Sequence, residues 1–162
     1  MKTVPDFPLS LAIIDIIPVA FFFAATLIIS LRLKSPLFFT GAALTFLAGS
    51  CQVIWKSLIA LNGTNIWPLH AQMKYVMPLG FLLMAIAVFL AHKTIGWKFI
   101  LQSLISFPQL TFVILAVICC ISMIILSFAL GIKDIKSQWI EEGVNILFQG
   151  SVFALVLLTT VR

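Results

Sequence analysis

Five apolar stretches, each long enough to cross a lipid bilayer, take up almost the whole chain and fix what it can fold into. A bilayer core takes roughly 20 consecutive apolar residues per helix; residues 9–31, 37–61, 71–91, 110–132 and 139–161 all qualify. Little remains between them for a soluble domain, so the 162 residues read as a single transmembrane domain. Lipid cannot satisfy backbone polar groups, which restricts spanning segments to helices or closed barrels. Runs of this length without two-residue alternation exclude the barrel. The expected fold is an all-α integral membrane protein, a bundle of five transmembrane helices, multi-pass in the cell membrane. Only 9% of residues are charged, against about 25% in soluble domains.

The flanking charges set an expected orientation. A cleavable signal peptide carries its positive charge before the apolar stretch, whereas here Arg32 and Lys34 follow it, so the first stretch reads as a retained span. Five spans leave Arg32, Lys34, Lys93, Lys98 and Arg162 on one side and Lys2, Lys133 and Lys136 on the other; Lys56 and Lys74 lie inside spans. The positive-inside rule then places the N-terminus outside and the C-terminus in the cytoplasm. The net charge of +5 follows largely from this anchoring. No stretch reaches the basic density of a phosphate track, so no nucleic-acid partner is expected.

Local signals sharpen the outline. Pro18 frees the carbonyl of Ile14, which predicts a kink beside Asp15. The connection 32–36 is short enough to make spans 1 and 2 antiparallel neighbours, and Ser35-Pro36 supplies a cap and a helix-opening proline. The loop 62–68 holds the turn pair Asn62-Gly63 and the headgroup-level anchor Trp67. Asn62-Gly63-Thr64 also matches a glycosylation sequon, a pattern common by chance. Residues 92–107, with Trp97, Lys98, Phe99, Ile100 and Leu104, suit an interfacial helix between spans 3 and 4. Loop 133–138 brings Glu141 and Glu142 to the first turn of span 5, where acids complement the helix dipole. Pro8-Leu9 recurs as Pro78-Leu79, and Pro36 as Pro108; two proline matches are better explained by chance than by duplication.

Seven polar residues interrupt the spans: Asp15, Gln52, Lys56, Lys74, Glu142, Asn145 and Gln149. Threading the chain puts all of them toward one face of the membrane. In span 2, Gly41, Thr45, Gly49, Gln52 and Lys56 fall within an arc of about 80° at 100° per residue. That stripe is small at one end and polar at the other, so Gly41, Thr45 and Gly49 are expected to pack another helix closely. Glu142, Asn145 and Gln149 lie within about 60° on span 5. Gln72, Tyr75 and Gly80 share a stripe on span 3, and Tyr75 joins the candidate ligand set. Span 4, with Cys119, Cys120, Ser122 and Ser127, reads as a lipid-facing or packing helix.

A Lys or Asp at mid-span costs roughly 2.5 to 3.5 kcal/mol on insertion scales, so such residues are retained chiefly inside a bundle or cavity. The sharp expectation is an Asp15–Lys56 pair across spans 1 and 2, with Gln52, Asn145, Gln149, Glu142 and Tyr75 around it as ligand-binding residues. The plainer alternative has Lys56 and Lys74 snorkelling to headgroups, Glu141 and Glu142 solvated, and the amides gluing helices together.

Other chemistry is thin. No Cys-x-x-Cys, metal-spaced His pair or Gly-rich phosphate loop occurs, and His70 and His92 fall on opposite sides, so neither metal nor cofactor is expected. Cys119 and Cys120 point about 100° apart on one helix and read as buried thiols, which Cys51, one span away, does not change. Neither Ser50 nor Ser57 stands one helical turn from a lysine on the same face, so no catalytic residue is assigned. The length and five spans resemble the translocator (tryptophan-rich sensory) proteins, but the first loop, Arg32-Leu33-Lys34-Ser35-Pro36, lacks their Trp- and Pro-rich motif. Span 5 also lacks the deep lysine of a retinal protein.

The leading expectation is a small transporter or channel binding a small polar or anionic solute in an outer polar vestibule. Five helices make a thin wall, so a homo-oligomer is expected with it. A receptor-like or accessory subunit packing a partner helix on the same stripe comes second. An intramembrane enzyme acting on lipid or a quinone, with Asp15 or Glu142 as acid or base, comes third.

Overall fold

The computed structural model describes residues 8–91, 96–129 and 135–160. Among the described residues every regular element is a helix. These are α1 (Leu9–Ile14), α2 (Ile16–Leu33), α3 (Pro36–Asn62), α4 (Trp67–Ala71), α5 (Met73–Leu90), α6 (Trp97–Ile105), α7 (Gln109–Ala129) and α8 (Ile135–Thr160). Five helical stretches are long and apolar enough to cross a membrane: Leu9–Leu33, Pro36–Asn62, Trp67–Leu90, Gln109–Leu126 and Ile135–Thr160. The first comprises α1 and α2, and the third α4 and α5. Lys2, Lys93, His92, Lys133 and Arg162, used in the reading above, lie outside the described residues.

The predicted kink coincides with a one-residue interruption at Asp15, whose backbone keeps right-handed helical angles (φ −62°, ψ −15°). Helix α1 stops at Ile14, Asp15 sits between the helices, and its N–H still donates to Leu11 O at 3.1 Å. Pro18 has no N–H to return to the Ile14 carbonyl, and its ring crowds that residue. A second one-residue interruption falls at Gln72 between α4 and α5, again with right-handed helical angles (φ −62°, ψ −28°). There the Gln72 side-chain amide donates to Leu69 O at 3.1 Å and to Ala48 O at 3.3 Å. The first of these occupies the carbonyl that Met73 would otherwise use.

Between α2 and α3 only Lys34 and Ser35 intervene. Lys34 takes a left-handed φ of 49°, and Ser35 Oγ accepts from Phe38 N–H at 3.3 Å. Pro36 opens α3, as its fixed φ favours. The loop before span 3 is shorter than expected, because α4 already begins at Trp67 with a proline in its first turn. Helix α8 likewise starts at Ile135, earlier than its apolar run, since Lys136, Ser137 and Gln138 are compatible with helix. Glu141 and Glu142 therefore stand in the second turn, and no acid occupies the first. The expected interfacial segment contains α6, a nine-residue helix.

The spans pack in an order in which α5 lies on α3, α3 on α1 and α2, α2 on α8, and α8 on α7. Span 1 is therefore central, with spans 2 and 5 on either side of it. The α3–α5 contact is the most extensive. Its closeness comes from facing glycines: a Cβ on Gly41 would stand 2.6 Å from Gly80 O, and one on Gly80 would stand 2.7 Å from Gly41 O. Thr45 is buried at the same crossing and donates to Gly41 O at 3.0 Å. Phe38, Ala42, Met84 and Ala87 continue this core. Gly49 sits at the edge of the stripe and faces the other neighbour, 3.3 Å from Val19 on α2 by the same measure. The small-residue stripe thus serves two helices of its own chain.

On the other flank, Phe21 of α2 stacks on Phe153 of α8 with centroids 5.6 Å apart. At the end of the bundle where α2 finishes, Arg32 donates to Thr160 O at 3.1 Å. Helix α7 lies at the end of this order, packed on α8 and α6, as expected for span 4.

Candidate functional site

Depth along the helices brings three charges to one level. Asp15 lies six residues into span 1, Lys56 six residues before the end of α3, and Glu142 seven residues into α8. At 1.5 Å per residue each is about 9 to 10 Å from its helix end. Because the spans alternate in direction, all three ends are the same end of the bundle. Lys56 Nζ lies 2.8 Å from Asp15 Oδ2 and 2.5 Å from Glu142 Oε1. One ammonium thus joins two carboxylates from three different spans.

The cluster is nearly closed off. Asp15 is 6% and Glu142 8% exposed, and the Lys56 side chain is 12% exposed. Helix α1 packs against both α3 and α8 beside it, and its Leu11 is fully buried with Trp55 and Ile59 of α3. Asp15 Oδ2, which faces Lys56 Nζ at 2.8 Å, and Glu142 Oε2 are both buried from solvent within the cluster.

The expected Asp15–Lys56 pair is therefore present, and Glu142 completes it. The structure does not bring the other candidates into the cluster. Gln52 turns to a second group, its Oε1 3.1 Å from His70 Nδ1. Asn145 and Gln149 are half-buried on α8 and make no side-chain hydrogen bond with another described residue. Tyr75 is 77% exposed on α5 and stands apart from the charged groups. Its stripe with Gln72 and Gly80 is too wide for all three to face inward, and the small Gly80 takes the contact with α3. Lys74 is exposed, as expected.

The group around Gln52 was missed by sequence reasoning. Trp55 stacks on His70 with centroids 4.5 Å apart and donates from Nε1 to Asn65 Oδ1 at 2.9 Å. Trp67 lies against the other flank of His70, with centroids 5.2 Å apart. The signal was available: Gln52, Trp55 and Lys56 stand three and four residues apart, the spacing that shares a helix face. The Asn65 and His70 contacts depended on the path of the 63–66 loop.

One cavity borders the His70 group, and a second lies toward the opposite end of the bundle. The first, of about 460 Å³, is lined by His70, Met73, Lys74, Met77, Pro78 and Phe81. A groove of about 210 Å³ between α2 and α3 is walled largely by Phe23, Leu27, Phe39, Phe46 and Leu47. Neither is lined by a member of the charged cluster. The larger one adjoins it indirectly, since its wall residue His70 holds Gln52, one helical turn from Lys56.

Among the described residues no group of three or more His, Cys, Asp or Glu is placed to hold a metal ion. Cys119 is buried, Cys51 half-buried and Cys120 exposed, all as free thiols; the reading of the adjacent pair as buried holds for Cys119 and not for Cys120. No family model, curated protein or solved structure matches the chain.

Proposed function

We propose that the chain is a multi-pass protein of the cell membrane, N-terminus outside and C-terminus cytoplasmic, that acts as a transporter or channel for a small polar solute. Five helices of spanning length and composition support the membrane assignment. The greater share of Lys and Arg at the Arg32 end supports the orientation.

The observation that carries the functional reading is the meeting of Asp15, Lys56 and Glu142, from three spans, at one depth inside the bundle. Holding helices together does not call for such a cluster, because apolar residues of similar volume often do so as well or better. Ionisable residues held inside spanning segments commonly mark solute or ion pathways, because burying them there is costly. Charge favours a neutral or cationic guest over an anionic one: Lys56 is already shared between two carboxylates. Five helices make a thin wall, so a homo-oligomer is part of this reading.

The test is thermal unfolding of the purified protein in lipid nanodiscs against a broad set of ions and metabolites. A native-state ligand must raise the midpoint. The reading requires a solute-dependent rise that disappears in Lys56→Met; a screen with no shift removes it.

One observation favours the accessory-subunit reading as an alternative. Asn145 and Gln149 are polar, half-buried and without a side-chain hydrogen bond to another described residue along an apolar span. A partner's helix would satisfy them. Co-purification of a stable partner, lost on Asn145→Leu with Gln149→Leu, supports this version. A monodisperse protein that keeps its properties in that double variant counts against it.

A further inference from the structure

We infer that the groove along α4 and α5 docks one anionic phospholipid, with its phosphate at Lys74 and an acyl chain against Met77, Pro78 and Phe81. The inference is separate from the solute reading and rests only on the membrane assignment.

One continuous stripe lines this groove of about 460 Å³. His70, Met73, Lys74, Met77, Pro78 and Phe81 recur at alternating intervals of three and one, the pattern of a single helical face. The interruption at Gln72 keeps helical angles, so the face continues from α4 into α5. Its polar members stand at the Trp67 end, where an indole marks headgroup level. Lys74 lies seven residues and Phe81 fourteen residues beyond Trp67, about 10 and 20 Å along the helix at 1.5 Å per residue. A phospholipid lying along the helix presents the same order, with charge first and hydrocarbon below it.

The walls are held by neighbouring spans. His70 is fixed by Gln52 and stacked on Trp55, both of α3. Phe81 meets Phe22 of α2 edge-on, with centroids 6.1 Å apart. The groove is therefore shaped by three spans.

Charge selects the headgroup. Lys74 is exposed, and residues 67–90 contain no Asp or Glu. Asp15 and Glu142, the acids inside other spans, are both held by Lys56. A lysine within a span is costly without a counter-charge, and a phosphodiester supplies one. Basic pockets between spanning helices hold anionic lipid headgroups in this way. Pro78 adds a second polar feature, because it has no N–H to give the Lys74 carbonyl four residues earlier. That carbonyl is an acceptor for a headgroup hydroxyl beside the phosphate. A soluble anion would use the polar end alone and leave Met77, Pro78 and Phe81 uncovered. The groove between α2 and α3 has no charged wall residue and selects no headgroup.

The experiment places the full chain in nanodiscs of phosphatidylcholine with a rising fraction of phosphatidylglycerol. Lipids retained after transfer to mild detergent are counted by native mass spectrometry. One phosphatidylglycerol should be retained per chain, preferred over phosphatidylcholine by about fivefold, the factor that one lysine near the surface contributes. Lys74→Gln should abolish the preference, whereas Lys34→Gln, at an exposed lysine of the opposite end, should leave it intact. Phosphatidylglycerol carrying a photoactivatable group in its acyl chain should crosslink within residues 73–81, and far less in Lys74→Gln. No preference, an equal loss in both variants, or crosslinks spread over all spans overturns the inference. Glycerol phosphate or inorganic phosphate that raises the unfolding midpoint in pure phosphatidylcholine discs, and does so through Lys74, overturns the lipid in favour of a soluble anion. A chain that stays monodisperse without lipid or detergent removes the membrane assignment and this inference together. The solute reading is tested at Lys56 and stands or falls apart from these results.

Discussion

Lys56 Nζ stands 2.5 Å from Glu142 Oε1 although α3 and α8 share no substantial packing face. Span 1 lies between the two helices, and the contact is made past Asp15. One side chain therefore links three spans at a single depth, which makes it the point at which stability and function are most tightly joined.

Replacing Lys56 by Met should leave two carboxylates facing each other. Breaking a buried ion pair by removing one partner costs about 3 to 5 kcal/mol, and a loss of that order is expected in denaturant titration of the reconstituted protein. Adding Glu142→Gln to Lys56→Met should restore about half of it, because the two residues are directly coupled. Strict additivity would show that the groups do not meet.

Amine labelling offers a direct reading of the same geometry. Lys74 is exposed and should react rapidly with a water-soluble acylating reagent, whereas Lys56, held between two acids, should react slowly. Mass spectrometry of Glu142→Gln should show Lys56 labelling accelerate toward the Lys74 rate. Equal rates in the wild type would contradict the cluster.

At the α3–α5 crossing, Gly41→Ala places a methyl group 2.6 Å from Gly80 O and 2.9 Å from Met84. Overpacking of this kind costs about 1 to 3 kcal/mol. Gly143→Ala meets nothing within 4 Å and should be neutral or stabilising by up to about 1 kcal/mol through helix propensity. Unfolding midpoints of the two variants should move in different directions; a shared direction would remove the close crossing as the explanation.

Trp55→Phe keeps a ring against His70 but deletes the donor to Asn65 Oδ1. A loss of about 0.5 to 1.5 kcal/mol is expected, and Asn65→Ala should cost a similar amount. Combining them should cost little more than either alone, since both remove one bond. Independent effects would place Asn65 elsewhere.

Much of this architecture is written locally in the chain. The spans are legible because a helix that crosses a bilayer must be apolar for a set length, and the interruption at Asp15 because a proline disables the carbonyl four residues before it. The Ser35-Pro36 helix start is equally local. Depth is legible too: counting residues from each span end already puts Asp15, Lys56 and Glu142 at one level.

Rotation of each helix about its axis is not local, and it decided everything else. Whether Glu142 or Asn145 faces the cluster depends on how α8 rolls against Phe21 of α2, and Tyr75 faces away because Gly80 claims the contact with α3. The sequence by itself determined which residues lie at the polar end and at what depth. Only the tertiary structure decided which of them touch, because residues on one helix face differ by tens of degrees, whereas an ion pair tolerates less than an ångström.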